Sequence, residues 1–94
     1  MNTQIYDKVV NTRKAWEYYK SRLNSIRGEI NRMRLLVDQA PKANNANELF
    51  NLERIKREIH RKKVERRIFN KRCKFWKKEF KLALFWWDLR EKKN

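Results

Sequence analysis

The sequence predicts an all-α protein, a long antiparallel two-helix hairpin of coiled-coil type that dimerises into a helical bundle. Three observations predict it. The 94 residues include one Gly and one Pro, against usual shares of about 7% and 5%, and tight-turned β architectures depend on those two residues. Two long stretches repeat apolar side chains at alternating three- and four-residue steps, the period of a coiled-coil seam. A single short polar segment separates the two stretches.

The first seam reads Ile5, Val9, Thr12, Trp16, Tyr19, Leu23, Ile26, Ile30, Met33, Val37. Only Thr12 is plainly polar, and the residues between are mostly Lys, Arg, Asn, Glu and Gln. This predicts a helix over about 3–39. Gly28 interrupts it at a cost of about 1 kcal/mol relative to Ala, which leaves open a three-helix arrangement broken near that residue.

The pattern stops at residues 38–47, a turn expected over about 40–47. Pro41 disfavours helix at Ala40, and Asn44 or Asn47 is placed to cap a second helix. Glu48 and Glu53 suit the positive end of a helix dipole.

The second seam reads Leu52, Ile55, Ile59, Lys62, Arg66, Phe69, Cys73, Trp76, Phe80, Ala83, Trp87, and predicts a helix over about 48–92. Lys62 and Arg66 are its two polar interruptions. Pairs such as Glu53 with Arg57 and Glu58 with Lys62 favour continuous helix. A loop of about seven residues implies antiparallel neighbours, so residues 1–94 form one helical domain. Folding about residues 43–44 sets Ile5 near Leu82, Trp16 near 71–73 and Leu23 near 64–66.

A further row, Ile68, Phe75, Leu82 and Leu89 at seven-residue steps with Trp86 beside it, is offset from this seam. One partner helix cannot cover both rows, and monomers seldom expose so large an apolar patch. Phe75, Leu82, Trp86 and Leu89 are therefore assigned to self-association or to a partner surface.

The formal charge is +15, from 26 Lys and Arg against 11 Asp and Glu, and a small protein so charged attracts polyanions. The second helix carries most of it. Residues 54–81 hold fourteen basic side chains against Glu58, Glu65 and Glu79. Arg57, Arg61, Arg67, Lys71, Lys74, Lys78 and Lys81 recur at helical steps that stack them on one face, a positive rail away from the seam, with Lys56, Lys63 and Lys77 widening one flank. Such a rail binds phosphates by counterion release, with weak sequence preference and steep salt dependence. Its alternative use is as a solvated face that keeps an elongated protein soluble.

No catalytic constellation stands out, and no cofactor is called for. His60 is the single histidine and Cys73 the single cysteine, too few for a zinc site or a Cys/His nucleophile pair. One Gly excludes a Gly-rich phosphate loop. His60 reads as a surface residue, and Cys73 as a small seam hydrophobe whose basic neighbours would activate it if exposed. The residues accordingly predict a binding protein rather than an enzyme.

The longest apolar run, residues 82–87, is far below the roughly 18 residues of a membrane span, and residues 1–10 show no signal-peptide pattern. A cytoplasmic protein without integral membrane association is expected. Three functions are compatible with these features. The first is nucleic-acid binding, to DNA or RNA, through the rail. The second is an inhibitor or adaptor of the phage or mobile-element type, anti-CRISPR-like, docking on an acidic surface of a host nucleic-acid enzyme. The third is a peripheral membrane binder using the aromatic end of the second helix. Trp76, Phe80, Phe85, Trp86 and Trp87 crowd that end, where exposed rings can also stack on bases, although their helical spacing suits packing.

Overall fold

The computed structural model describes residues 3–40, 42 and 44–93 and consists of two helices, α1 (Thr3–Gln39) and α2 (Ala46–Lys93), folded into an extended hairpin. Pro41 and Ala43 lie outside the described residues. The hairpin measures 73 × 16 × 14 Å, and its long dimension matches the roughly 72 Å expected of 48 helical residues at about 1.5 Å each. α1 runs through Gly28 without a break, so the three-helix alternative does not apply. The seam on its flanks holds the helix where propensity alone is weak.

Both seams are the inward faces. Every seam residue of α1 and α2 is buried or half-buried. The fully covered residues are few: Leu23, Ile26 and Ile30 in the middle of α1, Ala83 near the end of α2, and the polar Thr12. Thr12 is tolerated there because its hydroxyl donates to the Lys8 carbonyl at 2.6 Å, back-bonding into its own helix. Aromatic pairs bridge the helices along the seam: Tyr6 with Trp87 at 5.8 Å, Trp16 with Phe80 at 5.6 Å, and Tyr19 with Phe69 at 5.7 Å between ring centroids.

Tyr19 with Phe69 and Arg22 with Glu65 lie on the expected register, whereas Tyr6 and Trp16 meet residues further along α2 than expected. Trp16 meets Phe80 rather than residues 71–73, a displacement of about two turns along α2 for this pair. A pattern of three- and four-residue steps is nearly unchanged by such a slide, so the seam alone does not choose. The polar interruption does. In the observed register Lys62 faces Glu29 at 2.7 Å and Glu65 at 3.5 Å, and Arg22 reaches Glu65 at 3.7 Å. A half-buried ammonium is costly without carboxylates, and this alignment supplies them.

The start of α2 also differs in detail. Asn45, not Asn44 or Asn47, is the cap: the Glu48 backbone N–H donates to Asn45 Oδ1 at 2.9 Å, and the Glu48 carboxylate accepts from the Asn44 N–H at 2.8 Å. This is a capping box shifted by one residue at its return bond. In the first two turns of α2, Leu49 and Phe50 lie off the seam positions and are exposed.

Candidate polyanion-binding surface

The hairpin has two long edges where α1 and α2 meet, and they differ in charge. Along one edge the contacts alternate in sign. Glu29, Lys62, Glu65 and Arg22 form a connected group. Lys62 bonds the Glu29 carboxylate and holds it below the usual carboxylate range, while Glu29 raises the Lys62 ammonium above its ordinary value. Arg22 also lies over the Phe69 ring, and Arg72 over Tyr19 and Phe69, at 5.8–5.9 Å. Cations here are matched by carboxylates or rings.

The opposite edge is almost wholly basic. There Arg27 of α1 meets Lys63, Arg66, Arg67 and Asn70 of α2 around a cleft of about 320 Å³ that no carboxylate lines. Lys63, Arg66 and Asn70 are half-buried, and Arg27 and Arg67 are exposed. The two polar interruptions of the α2 seam therefore leave it in opposite directions. Lys62 turns to the mixed edge and its carboxylates, and Arg66 to the basic one.

The seven rail residues, Arg57, Arg61, Arg67, Lys71, Lys74, Lys78 and Lys81, are all exposed. Arg67, Lys74 and Lys81 follow at seven-residue steps, with Arg57, Lys71 and Lys78 on the adjacent row, and the whole covers about 36 Å of helix. Arg61 is the exception in charge, since its guanidinium bonds Glu58 at 2.8 Å. Among the described residues the other six make no ion pair within 4.0 Å. Lys56, on the flank, lies 3.7 Å from Glu53.

The row Ile68, Phe75, Leu82 and Leu89 adjoins the rail and is exposed, with Trp86 and Phe85 extending it. Phe75 leans edge-on against Trp76, and Phe85 against Trp86. The aromatic cluster at the end of α2 thus divides: Trp76, Phe80 and Trp87 serve the seam, whereas Phe75, Phe85 and Trp86 face out. A second exposed apolar group, Leu35, Leu36, Leu49 and Phe50, sits at the hairpin turn. The seam pattern gives no sign of it.

His60 is exposed and Cys73 is half-buried with a free thiol. No helix of the described residues is long and apolar enough to cross a membrane.

Sequence reasoning confined to α2 missed the contribution of α1. Arg13, Lys20, Arg27 and Arg34 are spaced seven residues apart and so share one row, on the side of α1 where Arg27 meets α2. Arg13 pairs with Glu17 at 3.0 Å and Lys20 caps the Trp16 ring at 5.3 Å. Arg27 and Arg34 have no such partner among the described residues. The seven-residue spacing was the available signal, hidden because α1 as a whole is less strongly basic than α2. No protein-family model, curated protein or solved structure matches the chain.

Proposed function

We propose that this protein is a non-enzymatic nucleic-acid-binding module, which grips the phosphate backbone of DNA or RNA along α2. The observation that carries this reading is the rail: six exposed cations without a carboxylate partner, arrayed over about 36 Å of continuous helix. A face kept only for solubility mixes both signs, and the chain does so on its other edge. Exposed unpaired Lys and Arg gain more from phosphate than from solvent because each neutralised phosphate releases condensed counterions. The test is charge reversal: Lys74→Glu with Lys78→Glu abolishes binding to a labelled random oligonucleotide, while the same change at Arg61, already paired, has a smaller effect. Equal losses at both places, or none at either, would contradict the assignment.

A second element of the reading concerns self-association. The accessible surface is 7771 Å², whereas a compact monomer of this mass exposes about 5,900 Å². The elongated 73 × 16 × 14 Å shape accounts for that excess, and the strip of Phe75, Leu82, Trp86 and Leu89 is exposed on it. We assign that strip to a homodimer contact, in which two hairpins form a four-helix bundle with their rails at its rims. If the strip instead docks a protein with an acidic surface, the protein stays monomeric alone and the inhibitor or adaptor reading gains. The membrane reading is the weakest of the three, since three of the five aromatic residues that suggested it pack in the hairpin seam.

A further inference from the structure

We propose that the cleft between α1 and α2 lined by Arg27, Lys63, Arg66, Arg67 and Asn70 is a phosphate-binding site, which brings α1 into the contact with the nucleic-acid backbone. The inference rests on the preceding reading for the owner of the phosphate, a phosphodiester of the bound strand. The site itself rests on its own geometry.

Four cations from two helices converge on one cleft, and no carboxylate lines it. Elsewhere along the helix–helix contact several cations are matched. Lys62 has Glu29 and Glu65, Arg22 has Glu65 and Phe69, Arg72 has Tyr19 and Phe69, and Lys20 has Trp16. Arg66 is the contrast. It occupies a seam position, is half-buried, and among the described residues makes no ion pair within 4.0 Å. Its neighbour at the previous seam position, Lys62, is given two carboxylates. A half-buried guanidinium beside three further cations is electrostatically unfavourable until an anion enters.

The donor set suits phosphate. Guanidinium forks bind phosphate oxygens by paired, charge-assisted bonds, Lys63 adds a point charge, and the Asn70 amide is one more donor. The α1 row continues from Arg27 to Arg34, and the α2 rail starts again at Arg67 and Lys71. A strand lying along the basic edge therefore has the cleft midway between cations of both helices.

The test follows arginine side-chain Nε–Hε resonances while inorganic phosphate, and separately a random-sequence single-stranded oligonucleotide, is titrated into the full chain. Saturable shifts at Arg27, Arg66 and Arg67 with both probes are expected. Arg27→Ala and Arg66→Met, the latter keeping an apolar stem in the seam, each lower the slope of log affinity against log salt by about 0.7–0.9, with helical content unchanged by circular dichroism. If Arg66→Met fails to fold, the exposed Arg27→Ala variant still decides. An oligonucleotide that binds the rail while these three resonances stay silent overturns the cleft and leaves the nucleic-acid reading standing. Shifts with phosphate but no oligonucleotide binding support the cleft and remove that reading. Silence to both probes overturns the cleft.

Discussion

The Lys62 ammonium of α2 lies 2.7 Å from the Glu29 carboxylate of α1, at a seam position where coiled coils place an apolar side chain. This contact joins the two helices at mid-hairpin and distinguishes the observed register from its neighbours. It also makes stability depend on pH in a stated direction. Glu29 is held below its ordinary 4.5, so its contribution is present above that value and lost as pH falls through the lower folded one. Lys62 is raised above 10.5, so its contribution is complete below 10.5 and lost as pH climbs through the higher folded value. Thermal melts from about pH 2 to about pH 12 show an acid and an alkaline limb for the native chain, since Glu29 is shifted down and Lys62 up. Glu29→Gln flattens the acid limb, and an unchanged limb in that variant would remove Glu29 from the account.

Gly28 lies within continuous α1, and a Cβ there meets only the far end of the Arg32 side chain, at 3.5 Å. Gly28→Ala therefore stabilises the hairpin by about 1 kcal/mol, read as a rise in Tm of about 4–8 °C for a domain of this size. A fall in Tm would mean that the backbone needs glycine at this point.

Asn45 caps α2 through the Glu48 N–H. Asn45→Ala costs about 1 kcal/mol in denaturant unfolding, whereas Asn47→Ala, inside the first turn and exposed, stays within about 0.5 kcal/mol. The reverse order would return the cap to Asn47.

Leu82 and Phe75 stand 46% and 54% exposed on the strip beside the rail. Leu82→Glu with Phe75→Glu converts a dimer to a folded monomer in sedimentation equilibrium. A native chain already monomeric at tens of micromolar would assign the strip to a different partner.

What was legible in the sequence is the part that local chemistry dictates. Apolar residues at three- and four-residue steps face a partner, so the positions from Ile5 to Val37 and from Leu52 to Trp87 turn inward as read. The offset row at Phe75 and Leu82 faces outward for the same reason. The register was legible only in part: Tyr19 with Phe69 and Arg22 with Glu65 fall where the turn position puts them, but Trp16 with Phe80 does not, because sliding one seam past the other preserves the pattern. The pairing of Lys62 with Glu29 across the helices favours the observed alignment, and sequence spacing within α2 pointed Lys62 toward Glu58 instead. The basic cleft depends on that register. Arg27 and Arg66 are ordinary members of separate rows until the helices are aligned, and Arg66 in particular reads as a defect in the seam.

Binding of the native chain to random duplex DNA, single-stranded DNA and structured RNA, titrated with salt, tests the central claim most directly. The account predicts affinity of about micromolar or tighter at about 50 mM salt for at least one of the three. That affinity falls by about a thousandfold or more by about 200 mM if six or more phosphates are contacted. No binding to any of them at low salt would contradict it, and the rail would then be a surface for an acidic protein.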